Sequence, residues 1–268
     1  MNKVLMSLFL FLCISTEGFA VTESERDGLI AIYNNTDGAN WGTNTDWNTT
    51  SDPCSWFGVS CDDNDNVITL GLTENNLTGS IPVEIENLSY LLKLDLSYNN
   101  LIGDIPPEIE KLSELEVLYL NANKLTGTIP REIGSLSLLR EIDLEWNRFE
   151  GSIPTELGDL ENLIFLDFAD NNLIGTIPES FIALTQLAYL SLDLNHLSGT
   201  IPKDIIDLTS LEDDGGLYLN NNYCLRSNDS SVRDFIVVKS KVASYDEFLA
   251  THEDCNVSLV PIITYILN

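Results

Sequence analysis

The dipeptide Ile-Pro recurs at Ile81-Pro82, Ile105-Pro106, Ile129-Pro130, Ile153-Pro154, Ile177-Pro178 and Ile201-Pro202, a constant step of 24 residues with no insertion. A fixed period of this length means one short structural unit stacked many times, a solenoid rather than a globular core. One such unit cannot enclose its own apolar edge. Stability must therefore come from stacking, and both ends of the stack must be covered.

Setting position 1 of the repeat at Val67, Leu91, Leu115, Leu139, Leu163, Leu187 and Leu211 gives LxxLxLxxNxLxGxIPxxIxxLxx. Positions 4 and 6 (Leu94 and Leu96, for example) alternate apolar with variable residues, which predicts a short strand with one buried face, one per coil and stacked in parallel. Position 9 is Asn75, Asn99, Asn123, Asn147, Asn171 and Asn195. An amide there can bond the backbone of neighbouring coils where the chain leaves the sheet. The glycine at position 13 (Gly79 through Gly199) suits positive φ or close backbone approach, and the following Ile-Pro turns an apolar side chain inward while fixing φ. Positions 19 and 22, such as Ile109 and Leu112, are three apart and predict a helical turn that closes the coil on its outer side.

With these residues in place, the chain resembles the plant-type leucine-rich-repeat proteins, whose signature is LxxLxLxxNxLxGxIPxxLGxLxx, over Val67 to about Asn222. The resemblance implies an α/β solenoid: a right-handed, curved superhelix with a parallel concave β-sheet and disulfide-stapled caps, binding its ligand on the concave side. Residues 21–66 depart from the repeat. Glu25 to Tyr33 carries apolar residues at helical spacing, and Trp41, Trp47, Trp56 and Phe57 gather around Cys54-Ser55-Trp56-Phe57-Gly58-Val59-Ser60-Cys61. That stretch resembles the N-terminal cap of extracellular members of the family, and the tryptophans are read as cap packing. Asp62-Asp63-Asn64-Asp65-Asn66 lacks the glycine and terminal glutamate of a calcium loop and is read as a tight turn into the first repeat strand.

Met1 to Ala20 has one base, Lys3, an apolar run Val4 to Ile14 and a small-x-small end at Gly18-Phe19-Ala20, the pattern of a secretory signal peptide. The run is too short to span a bilayer, which takes ~20 residues. Its removal leaves Cys54, Cys61, Cys224 and Cys255 in a chain bound for an oxidising compartment. Three pairings exist on paper. The first two cysteines precede the repeats and the last two follow them, so Cys54–Cys61 and Cys224–Cys255 are expected. The seventh coil carries three extra residues, placing Leu217 and Leu219 at the strand positions and Asn222 on the ladder. Residues 223–256 form the expected C-terminal cap, with Ser244-Tyr245-Asp246-Glu247 as a capping box before a short helix. The apolar tail 257–268 is interrupted by Pro261 and too short to span.

With 13 Lys and Arg against 42 Asp and Glu, the net charge is −29. Nucleic-acid binding, which needs basic residues against phosphate, is excluded, and anionic membrane surfaces are disfavoured. Cationic partners are favoured. Sequons stand at Asn34, Asn48, Asn76, Asn87, Asn228 and Asn256, and none lies between Leu91 and Ser210.

Repeat positions 3, 5, 7 and 8 are not fixed by the pattern and are expected on the concave face. There, Tyr98, Tyr119, Trp146, Phe165 and Tyr189 are expected to form a diagonal belt flanked by Asp95, Asp143, Glu145, Asp167, Asp170 and Asp193. Aromatic anchors in a polar surround make a recognition patch. With strands ~4.8 Å apart, seven coils span about 30 Å, enough for a standard interface. Catalysis is not expected: His196 and His252 have no neighbouring nucleophile arrangement, and a shallow sheet is expected to leave its carboxylates solvated. No cofactor and no metal are expected. The reading is a secreted, non-catalytic, receptor-like or co-receptor-like module for a cationic protein or peptide. The alternatives are an inhibitor of an extracellular glycan-degrading enzyme, similar to the polygalacturonase-inhibiting proteins, an ice-binding surface, and a truncated receptor-kinase ectodomain.

Overall fold

The computed structural model describes residues 21–213, 215–240 and 245–250. Among them, one parallel ladder runs through Val67–Gly71, Lys93–Asp95, Val117–Tyr119, Glu141–Asp143, Phe165–Asp167, Tyr189–Ser191 and Leu217–Tyr218. Its register is that of the repeat: Leu94 faces Leu118, which faces Ile142, then Leu166 and Leu190. Positions 4 and 6 of every coil are fully buried or nearly so, and together with Ile85, Ile109, Ile133 and their equivalents they form one continuous core. On the opposite side, the expected helical turns are 3-10 segments, Val83–Asn87, Pro107–Lys111, Arg131–Ser135, Thr155–Asp159, Glu179–Ala183 and Lys203–Asp207. Each begins after the proline of Ile-Pro, whose fixed φ leads into the turn. These segments are bulkier than a strand, which stacks at ~4.8 Å, so the stack bends toward its sheet.

A second set of short strands was not announced by the periodicity. Thr78–Gly79, Asn100–Gly103 and Lys124–Leu125 pair in one sheet, and Glu150–Ser152, Asn172–Gly175, His196–Thr200 and Cys224–Arg226 in another. They sit where the chain leaves the main sheet, beside the position-13 glycines, which all have positive φ, between 71° at Gly127 and 98° at Gly199. At Gly79 a side chain would also meet the carbonyl of Asn35 at 2.1 Å, so glycine is required there twice over.

The N-terminal end is closed by helix α1 (Glu23–Asn35). Thr22 and Glu25 form a reciprocal capping box, and the Glu25 carboxylate also accepts the Val67 N–H at 2.9 Å, tying the helix to the first repeat strand. Strand Val59–Cys61 runs antiparallel to Val67–Gly71 and covers the sheet edge. Trp41, Trp47 and Trp56 are buried in edge and tilted contacts, with their indole N–H groups donating to the Thr36 and Phe57 carbonyls and the Ser51 hydroxyl. Phe57 differs from expectation: it is exposed, because Gly58 at φ 81° turns the chain away from the cluster. Cys54 and Cys61 are disulfide-bonded as expected. Asp62 accepts from the N–H groups of Asn64 and Asn66, which makes Asp62 to Asn66 the expected turn.

At the other end, coil seven keeps register, with Leu217 opposite Leu190 and Asn222 on the ladder. Helix α2 (Ser230–Lys239), capped by Asp229 and burying Val232 and Ile236, then covers the stack. It is longer than the helix the sequence announces, which is α3 (Tyr245–Ala250), with Phe248 buried. Cys224 is disulfide-bonded, while Cys255, its expected partner, lies outside the described residues, as do the leader 1–20, Ser244, Asn256, His252 and the tail 257–268. No helix among the described residues is long and apolar enough to cross a membrane.

Candidate functional site

The concave face is the side of the main sheet opposite the 3-10 segments. It is less open than the repeat pattern suggests. Ser97, Asn121, Asp167, Ala169 and Ser191 are buried there by side chains of the adjoining coils. Position 8 is a separate case: Glu74, Tyr98, Ala122, Trp146, Asp170, Leu194 and Asn221 all adopt left-handed backbone with φ between 51° and 60° or close to it, which swings them to the rim where the chain leaves the sheet.

This division breaks up the expected aromatic belt. Phe165 and Tyr189 stack at 4.6 Å between ring centroids, and Tyr189 continues to Tyr218 at 5.4 Å, a run that reaches coil seven, one coil beyond the expected belt. Tyr119 stands apart, with its hydroxyl donating to Glu141. Tyr98 and Trp146 lie on the rim, about half exposed at 52% and 51%. The five rings are thus three groups, because positions 3 and 5 face the sheet's interior surface and position 8 does not.

The carboxylates divide as well, according to whether a cation is nearby. Lys93 Nζ lies 3.3 Å from Asp95 Oδ2 and 5.0 Å from the ring centroid of Tyr119. Burial would raise the Asp95 pKa, but hydrogen bonds from Ser97 and Thr73 and the Lys93 charge outweigh it and hold the group below its ordinary value. Two coils on, no lysine or arginine forms an ion pair with Asp143, Glu145, Asp167 or Asp193 among the described residues. Asp143, Glu145 and Asp167 each bring an oxygen to within 4.8 Å of the others, near enough to share one cation. Burial first, and then mutual repulsion, pushes Asp143 and Glu145 up to about 7; Asp167 and Asp193 are also raised, mainly by burial. The expectation that a shallow sheet leaves these groups solvated is therefore overturned, because side chains of neighbouring coils stand close on both sides of each one. Burial and the nearby carboxylates likewise raise the Tyr119 and Tyr189 hydroxyls. Asp170 is exposed on the rim rather than in this cluster.

The repeat geometry decides the family, and the comparisons agree. The leucine rich repeat N-terminal domain model matches residues 22–62, and leucine rich repeat models match 66–88, 93–149 and 162–184. The ectodomain of BIR2 from Arabidopsis thaliana is 32% identical, and the alignment covers 67% of this chain and 96% of that one, with a TM-score of 0.57. The chain belongs to the leucine-rich-repeat family. Among its other relatives, the receptor-like protein kinase PEPR1 of Arabidopsis thaliana is 32% identical over 94 residues, which is 33% of this chain and 8% of that protein. The structure of PEPR1–AtPEP1 superposes with a TM-score of 0.68, at 32% identity over 79% of this chain and 30% of that one. The plant peptide hormone receptor RGFR1 in complex with RGF2 gives a TM-score of 0.62 and 37% identity over 66% of this chain and 28% of that one. The chain spans only about 8% of the length of the curated receptor kinases it matches, so the match is to a leucine-rich-repeat segment.

Proposed function

We propose that this chain is an extracellular, receptor-like recognition module that holds a peptide or protein ligand against the concave side of coils three to six and performs no chemistry on it. The observation that carries this reading is the group Asp143, Glu145, Asp167 and Asp193: four half-buried or buried carboxylates beside a stacked aromatic run, with no lysine or arginine among the described residues in an ion pair with them. The fold has no use for such an arrangement, since charge repulsion and desolvation both oppose it. A lysine or arginine from a partner would relieve both, and Lys93 between Asp95 and Tyr119 shows how this sheet seats an ammonium group. PEPR1 and RGFR1, which share the fold, are seen in complex with AtPEP1 and RGF2.

The sequons support the same placement. Asn34, Asn48, Asn76 and Asn228 are exposed and Asn87 half-buried, all in the caps or the first coil, so glycans there would leave the middle of the sheet free. The test is capture of a partner from the protein's own extracellular medium, followed by variants. Trp146→Ala is expected to weaken binding by about 2 kcal/mol, chiefly through faster dissociation, and Asp143→Asn with Asp167→Asn to slow association and flatten its salt dependence. Unchanged affinity in both proteins would move the ligand to another face.

A further inference from the structure

The rim residues raise a question the concave cluster does not answer. Left-handed backbone suits glycine and asparagine and is unfavourable for bulky side chains. Yet position 8 holds Tyr98 at φ 55°, Trp146 at φ 55° and Leu194 at φ 53°, each about half exposed to solvent. Neither the backbone nor solubility favours a large apolar side chain at these places. Their order along the stack is regular: Glu74, Tyr98, Ala122, Trp146, Asp170, Leu194, Asn221, so that large apolar residues stand on coils two, four and six with Ala122 and Asp170 between them.

The spacing is set by the backbone. Tyr98 N–H bonds to Asn121, Ala122 to Glu145, Trp146 to Ala169, Asp170 to Asp193 and Leu194 to Asn220, a ladder unbroken from coil to coil. Walls two coils apart are therefore ~9.6 Å apart, twice the strand spacing. The notches between them, over Ala122 and over Asp170, are separated by the same distance. Beyond Asp170 the rim opens into a hollow of about 390 Å³ lined by Asp170, Asn172, Leu194, His196 and Tyr223.

We propose that this rim is a docking strip for a peptide in the polyproline II conformation, with a proline or other compact apolar residue over Ala122 and a basic residue three positions away over Asp170. Polyproline II rises ~3.1 Å per residue with three residues per turn, so residues i and i+3 project from one face ~9.3 Å apart, matching the notches. A β-strand puts i and i+3 on opposite faces. An α-helix presents i and i+7 at ~10.5 Å, drifting out of step with successive walls, and its ~10 Å girth cannot enter the notches. Proline against tyrosine and tryptophan is the usual way such peptides are held, since little conformational entropy remains to be lost. The Asp170 carboxylate and the net charge of −29 supply the match for the basic residue.

This inference rests on the recognition reading above and adds to it the ligand's conformation and register. The probe is a synthetic peptide of repeated Pro-Pro-Pro-Arg quartets, in which a proline stands three positions before each arginine. Its controls are Gly-Gly-Gly-Arg quartets, equal in charge and spacing but flexible, and Pro-Pro-Arg triplets with the same number of arginines, in which no proline stands three positions from an arginine. At about 150 mM salt, where the screening length is ~8 Å, the Pro-Pro-Pro-Arg peptide is expected to bind at least about tenfold more tightly than either control. Ala122→Trp, which fills a notch with a side chain that Trp146 shows the backbone accepts, should abolish that preference. Trp146→Gly, which removes a wall and relaxes the backbone, should do the same without lowering the melting temperature. Equal binding of the three peptides, or a preference for the quartet peptide that survives Ala122→Trp, would overturn the assignment. A natural ligand lost in Asp143→Asn with Asp167→Asn but indifferent to Ala122→Trp would overturn the rim strip alone and leave the recognition reading standing. One indifferent to both would remove the two together.

Discussion

Asn147 makes one amide serve two coils. Its Oδ1 accepts the Leu125 N–H of the coil before at 3.0 Å, while Nδ2 donates to the Leu120 carbonyl of that coil and to the Leu144 carbonyl of its own. The same pattern repeats at Asn99, Asn123, Asn171, Asn195 and Asn222, and at the N-terminal end Asn75 bonds the Thr43 backbone instead, so the ladder is anchored to the cap. The position was legible in the sequence as an amide at a fixed step; its partners were not, because they belong to coils 24 residues away. Asn147→Ala leaves buried donors and acceptors unpaired and is expected to lower stability by about 2–3 kcal/mol, measured by denaturant unfolding. Trp146→Gly one residue earlier should not, which separates a residue the fold needs from one it merely tolerates. A null result for Asn147→Ala would mean that water replaces the amide inside the stack.

Taken as an element, the concave sheet carries a pH dependence of its own. Asp143 and Glu145 titrate at about 7 in the folded protein, well above a free carboxylate's ~4. The folded state therefore binds more protons than the unfolded one between about pH 4 and pH 7. Their stabilising contribution is complete below about 4 and is lost as pH rises to about 7. The melting temperature should fall by a few degrees between pH 5 and pH 8, and by less in Asp143→Asn with Glu145→Gln, the difference isolating these two groups from the general acidity. A cationic ligand acts in the opposite sense: it favours the ionised carboxylates, so its affinity should rise with pH through 7. Sequence alone supplied the identities of these residues and their shared sheet. It did not supply their burial, which depends on the side chains of the next coil, as Asp167, Ser97 and Ser191 demonstrate. The second set of strands was hidden for a related reason. Stretches such as Asn172–Gly175 are four residues or so with a single buried leucine, too short to show an alternation.

For the whole molecule, the repeat implies that each coil contacts only its neighbours, so damage at one end should stay there. The N-terminal end is held by three devices: the α1 capping box with Glu25 on Val67, the tryptophan cluster, and the Cys54–Cys61 disulfide beside the edge strand. Replacing both cysteines by serine frees a short loop and should cost about 2–3 kcal/mol on the chain-entropy account. In a globular domain that loss would be spread over every amide exposed by global unfolding. Here it should be local. Hydrogen exchange in Cys54→Ser with Cys61→Ser is expected to accelerate in Val59–Cys61, Val67–Gly71 and α1, while Phe165–Asp167 and Tyr189–Ser191, four and five coils away, keep their wild-type protection. Uniform loss of protection along the stack would show that the solenoid unfolds as one cooperative unit, and that the caps stabilise the concave site at a distance rather than only sealing the end.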